Sequence, residues 1–197
     1  MQIVLASASP RRQQLLRDAG VKFVAEPANI AEVQFAHETA RQFAERMARE
    51  KAQAVRNETE HEETCVLGAD TVVVVTTGSA VAQEVVLGKP IDEADAARML
   101  RLLSARKHQV ITGVCLLGNG FEDTRSEGTD VYFSEMSEND ICEYIRTGEP
   151  MDKAGAYAIQ GAASRWIAKI EGDYSNVVGL PVGLVLRMLR EHGALRD

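Results

Sequence analysis

The run CVLGADTVVVVTT, residues 65–77, constrains the fold of this chain more than any other stretch. It is β-branched and largely apolar, and reads as a buried strand or a pair of strands. A strand that is apolar on both faces needs cover on both. Helical and extended patterns alternate along the rest of the chain, so the class is α/β or α+β. Its 197 residues suffice for one domain with a sizeable core, or for two small lobes.

Local signals divide the chain further. QIVLAS reads as a short strand, and Ser9 followed by Pro10 as an N-cap and first helical residue. RRQQLLRDAG continues that helix to Gly20. VKFVAEP reads as a strand, and His37 to Arg56 as a helix ended by the polar NETEHEE. Gly78-Ser79 suggests a turn, AVAQEVVLGKP an extended run, and Asp92 the cap of a helix over DEADAARMLRLLSA. HQVITGVCLLG reads as a strand, Gly118-Asn119-Gly120 as a turn and TDVYFSEM as another strand. Ser137 with Asp140 resembles a capping box, and the last helix runs from Pro181 to about Glu191.

Composition narrows the function. A net charge of −7 argues against wrapping a nucleic-acid polymer, although a few placed cations can still hold a small anion. Cys65, Cys115 and Cys142 are widely spaced and form no metal-ligand pattern, so each reads as a small buried hydrophobe. His37, His61, His108 and His192 lack the spacing of a zinc site. No stretch is long and apolar enough to span a bilayer, and MQIVLAS does not read as a signal peptide. The expectation is a cytoplasmic protein with no membrane partner.

Three places break the local pattern. Arg11 and Arg12 stand where a helix begins, although a helix N-terminus already carries partial positive charge. Both either point to solvent, or an anion sits between them and the helix end. Lys51 lies in the middle of an arc formed by Phe43, Ala54, Met47, Ala40, Ala44, Val55 and Ala48. It either snorkels to water or meets a buried anion. Asp70 interrupts the Val-rich run and is either the cap of a turn or a paired, buried carboxylate. Gly68 before it suggests a bulge or a close backbone approach. Together Arg11, Arg12, Lys51 and Lys89 suit a polyphosphate. Glu32 and Asp70 suit Mg²⁺ or Mn²⁺, which take carboxylate and phosphate oxygens.

The segments LASASPRRQQLL, AREKA, LGADTVV, LGKP, HQVITGV, DKAGAYAIQG and NVVGLP resemble, in order, those of the Maf nucleotide pyrophosphatases. That resemblance implies an elongated α/β fold related to inosine-triphosphate pyrophosphatase: a mixed sheet flanked by helices, one domain over 1–197, two lobes around a central cleft. It implies hydrolysis of a nucleoside triphosphate to monophosphate and pyrophosphate with a divalent cation, Mg²⁺ or Mn²⁺, and a homodimer. The catalytic positions fall on Asp70, Lys51 and Glu32, with Glu32 and Asp70 as metal ligands. Substrate binding falls on Ser7, Arg11, Arg12, Lys89, Thr71 and Gln160. DKAGAYAIQG, with Gln160, resembles the subgroup acting on dTTP and UTP. A sister subgroup prefers 7-methyl-GTP, and the family name evokes an interaction protein that restrains cell division. Two departures stand out. Ala31 precedes Glu32 where the family often has an acid, and the stretch from Asp70 to Lys89 is several residues longer than the family pattern.

Overall fold

The computed structural model describes residues 1–58, 63–78 and 83–195. Its elements are β1 (Gln2–Leu5), α1 (Pro10–Asp18), β2 (Val24–Ala25), α2 (Ala40–Glu58), β3 (Thr64–Thr77), β4 (Gln83–Leu87), α3 (Glu93–Leu103), β5 (Lys107–Gly118), β6 (Phe121–Phe133), α4 (Glu138–Arg146), β7 (Ile167–Glu171), α5 (Tyr174–Val178) and α6 (Val182–Glu191). Three short 3₁₀ turns lie between α4 and β7. The strands pair in the order β2-β1-β3-β5-β6-β7, and β4 pairs with β3. β1 lies parallel to β2 and β3, whereas β4 is antiparallel to β3 and β7 to β6, so the sheet is mixed. No helix among the described residues is long and apolar enough to cross a membrane.

The chain forms two compact units, and β3, β5 and β6 each contribute to both. The first comprises 1–71, 112–127 and 179–197. Side-chain alternation along its strands feeds two clusters. Ile3, Leu5, Cys65, Leu67, Ala69, Val114 and Leu116 pack with Leu16 of α1 and with Leu184, Val185 and Met188 of α6. Val4, Ala6, Val66 and Cys115 turn the other way, onto Ala48, Ala52 and Val55 of α2. The second unit comprises 72–111 and 128–178. Its core joins Val73, Val75, Val110 and Val131 to Met99 and Leu100 of α3 and Ile141 and Tyr144 of α4.

Several local readings hold. Ser9 caps α1, Asp92 caps α3, and Ser137 with Asp140 forms a complete capping box. Others are corrected. α2 begins at Ala40, not His37, because Thr39 Oγ1 accepts from Gln42 N (3.2 Å) while Gln42 Oε1 accepts from Thr39 N (3.0 Å). His37 sits outside the helix at φ 65°. β2 is two residues long, paired only to the end of β1. β6 starts at Phe121, far upstream of TDVYFSEM, and β7 was not anticipated. Cys142 is exposed, while Cys65 and Cys115 are buried as expected. Ser79 of the expected turn, 80–82 of the following run and 59–62 after α2 lie outside the described residues.

In the second unit, His108 is 2% exposed. Its Nε2 lies 2.8 Å from the Tyr157 hydroxyl, and the ring stands edge-on to Phe133. Burial pushes its pKa down to about 4. The unfolded chain takes up this proton near the ordinary value of 6.5, and the folded chain refuses it. Its contribution is therefore complete above that value and drains away as pH falls toward 4, by about 3 kcal/mol. Urea melts of wild type and His108→Gln at pH 7 and pH 4 measure it. The stability advantage of the wild type is expected to shrink by about 3 kcal/mol across that range.

Candidate active site

The strand period that builds the first unit also builds its polar centre. Val66, Gly68 and Asp70 alternate onto the α2 face of β3, whereas Ala69 and Thr71 alternate onto the α1 face. A β-carbon on Gly68 would stand 2.0 Å from the Ala48 carbonyl oxygen, and one on Gly113 of β5 would stand 2.3 Å from that of Ala44. Glycine at both places lets the α2 backbone rest directly on the sheet. The close approach anticipated at Gly68 is thus present, and it brings the next turn of α2, with Lys51, over Asp70.

Lys51 does not snorkel to water; it is 7% exposed and Asp70 6%. Its Nζ donates to Asp70 Oδ1 at 2.6 Å and to Glu32 Oε1 at 2.5 Å. The Glu32 side chain is 41% exposed, so the triad runs from the protein interior to solvent. Burial pushes the Asp70 carboxyl above its ordinary value, opposed by the positive charges of Lys51 and Arg12. An isolated carboxylate would be costly here; one ammonium shared by two acids offsets that cost and leaves the group with a net negative charge.

The structure separates the two arginines that the sequence set side by side. Arg12 turns inward. Its Nε donates to the Gly179 carbonyl (2.8 Å) and Nη1 to the Ala69 carbonyl (2.9 Å) and Ser7 Oγ (3.3 Å). Nη2 donates to Thr71 Oγ1 (2.9 Å). The guanidinium thereby grips the residues on both sides of Asp70. Burial holds the Arg12 pKa below its ordinary value, an effect opposed by Asp70 and Glu32. Arg11 lies in the first turn of α1, half-buried, and its side chain makes no hydrogen bond or ion pair among the described residues.

Ser7, Arg12, Thr71, Asp70, Lys51 and Glu32 are therefore brought together in one unit. Two further participants, Thr112 in HQVITGV and Gly179 in NVVGLP, were not singled out as site residues in the sequence. Thr112 Oγ1 lies 3.0 Å from Thr71 Oγ1, and the Gly179 carbonyl accepts from both Thr71 (3.2 Å) and Arg12. Gly179 has φ 128°, a backbone that other residues rarely adopt. Lys89 and Gln160 belong to the second unit. Lys89 is exposed in the bend after β4, where the Gly88 carbonyl accepts from Gly155 N at 3.0 Å. Gln160 is exposed in a turn that follows DKAGAYAI.

Among the described residues, no group of three or more His, Cys, Asp or Glu side chains is placed to hold a metal ion. Glu32 and Asp70 nevertheless present hard carboxylate oxygens around one ammonium. That donor set fits Mg²⁺ or Mn²⁺, which are commonly held by one or two carboxylates, water and the phosphates of a substrate.

Comparison with known proteins gives this arrangement a family. A family model described as Maf-like protein matches residues 2–192. A dTTP/UTP pyrophosphatase of Koribacter versatilis is 53% identical over 195 residues, covering 99% of this chain and 96% of the relative. Relatives of the same name from Symbiobacterium thermophilum and a Geobacillus species are 47% and 44% identical, each over 98% of this chain and over 94% and 98% of the relative. A solved nucleoside-triphosphatase / dITP/XTP pyrophosphatase of Mycobacterium abscessus aligns with 98% of each chain at 15% identity and a TM-score of 0.42. On its sequence from residue 2 to residue 192, the chain belongs to the Maf-like protein family.

Proposed function

We propose that this protein hydrolyses dTTP and UTP to the nucleoside monophosphate and pyrophosphate. The observation that carries the reading is Lys51 held between Asp70 and Glu32. Relatives named dTTP/UTP pyrophosphatase, at up to 53% identity over nearly the whole chain, support the substrate class.

The chemistry follows from the geometry. Water attacks the α-phosphorus, a P–O bond forms, and the α–β bridging oxygen leaves with pyrophosphate. Asp70 accepts the water's proton; its burial raises its basicity above that of an ordinary carboxylate. Lys51 spends two of its three N–H donors on Asp70 and Glu32, and the third is available to a phosphoryl oxygen. A positive charge already in place at that oxygen stabilises the charge that develops in the transition state. Arg11 holds the triphosphate tail, beside the Ser7, Arg12 and Thr71 cluster that fixes the middle of β3 around Asp70. Lys89 and Gln160 are assigned to the tail and the pyrimidine edge on the family resemblance. Glu32 and Asp70 would hold a divalent cation, which supplies charge neutralisation for the phosphates when bound. A homodimer working in the cytoplasm, without a nucleic-acid or membrane partner, belongs to the same proposal.

A panel of triphosphates tests the reading. With Mg²⁺ or Mn²⁺ added, dTTP and UTP are expected to release pyrophosphate fastest. A preference for GTP or 7-methyl-GTP would overturn the pyrimidine assignment.

A further inference from the structure

Glu32 is the exposed member of the triad, and it lies outside regular secondary structure. Its neighbours Val33 and Phe35 are each 60% exposed, so apolar burial does little to hold this stretch. Arg46 of α2, five residues before Lys51, reaches it at three points. Its Nη2 donates to the Val33 carbonyl at 2.8 Å, directly after Glu32. Its Nε and Nη2 take the two carboxylate oxygens of Glu38 at 2.7 and 2.8 Å. Its guanidinium lies 3.8 Å from the centroid of the Phe35 ring. Glu38 Oε2 in turn accepts from Phe35 N at 3.0 Å and closes the stretch into a loop.

We propose that Arg46 is a positioning residue: it clamps residues 33–38 onto α2, and so keeps the Glu32 carboxylate on Lys51. One helix thereby holds both ends of the arrangement, Lys51 through the Glu32 side chain and Arg46 through the backbone next to it. The fork is what the position requires. A carbonyl, a bidentate carboxylate and an aromatic face are met at once by a planar guanidinium and not by an ammonium. This is no ordinary surface ion pair, since the Arg46 and Glu38 side chains are only 17% and 10% exposed. The catalytic consequence rests on the role given to Glu32 above; the clamp itself does not.

The test combines amide hydrogen exchange with UTP kinetics on full-length Arg46→Ala, Arg46→Lys and Glu32→Gln. In Arg46→Ala, amides of residues 32–38 are expected to exchange at least about tenfold faster, with β3 unchanged. The value of kcat is expected to fall about tenfold while KM stays within about twofold, the pattern of a lost transition-state interaction. Arg46→Lys is expected to fall between, and to carry the comparison should the alanine variant lose β3 protection as well. In the Glu32→Gln background, Arg46→Ala is expected to cost less than about twofold more, because both act through one carboxylate. Unchanged exchange in residues 32–38 overturns the clamp. Full additivity with Glu32→Gln overturns its action through Glu32. A wild-type rate in Glu32→Gln alone counts against the role of Glu32 in the proposed function, and the exchange result still decides the clamp.

Discussion

Asp70→Asn is expected to lower turnover of dTTP and UTP by about 10³-fold, within the range for loss of a general base, and to leave the protein folded. Asparagine has the shape of aspartate, and its Oδ1 still accepts from Lys51 Nζ, where the wild-type distance is 2.6 Å. What is removed is the charge and the basicity. Desolvation raises the pKa of the buried carboxyl in the metal-free protein, opposed by Lys51 and Arg12, and the acid limb of the wild-type kcat/KM is assigned to this group. The sign is fixed by the role: a base works only when deprotonated, and raising its pKa moves the loss of activity to higher pH. In Asp70→Asn this limb should vanish from whatever activity remains. Thermal melts by circular dichroism establish that the variant is folded, and pyrophosphate release measures the rate. A wild-type rate in a folded Asp70→Asn would remove Asp70 from the chemistry.

Gly68→Ala is expected to be the most damaging single-methyl change in the first unit. The new β-carbon would stand 2.0 Å from the Ala48 carbonyl oxygen and 2.9 Å from Ala52 N. Both are backbone atoms of α2, so no side-chain rotation relieves the clash; the helix itself must lift off β3. Overpacking usually costs ~1–3 kcal/mol, and a collision with rigid backbone belongs at or beyond the upper end, about 3 kcal/mol or more. Activity should fall with stability, because lifting α2 draws Lys51 away from Asp70. Gly113→Ala, 2.3 Å from the Ala44 carbonyl oxygen, should behave alike. Gly88→Ala is the control: nothing lies within 4 Å of the added carbon, and the expected change is within about 0.5 kcal/mol. Urea denaturation of the three variants gives the order. A Gly68→Ala protein as stable and as active as Gly88→Ala would mean that the close packing of α2 does not position Lys51.

Much of this was legible in the sequence because the site residues violate the pattern that their neighbours obey. A lysine centred on an apolar helical arc and an aspartate inside a valine run each needed a partner, and each proved to be the other's. Gly68 gave the third sign, a position where only hydrogen fits. The rest was hidden for physical reasons. Along β6 the stretch from Phe121 to Gly128 is half-exposed for most of its length, so no alternation marks it as strand. Arg11 and Arg12 are chemically identical and adjacent; only the helix rotation of about 100° per residue decides which turns inward. Thr112, through a hydrogen bond shared with Thr71, and the Gly179 carbonyl, which accepts from Thr71 and Arg12, serve the site from far along the chain. Thr39 with Gln42 did carry a capping signature, and reading it would have placed the start of α2 correctly.

The central claim is that the Asp70–Lys51–Glu32 centre directs water to the α-phosphorus. Hydrolysis of UTP in ¹⁸O-labelled water, with both products analysed by mass spectrometry, tests it most directly. The account predicts one labelled oxygen in the monophosphate and none in pyrophosphate. Label in pyrophosphate, or release of orthophosphate in its place, would contradict it.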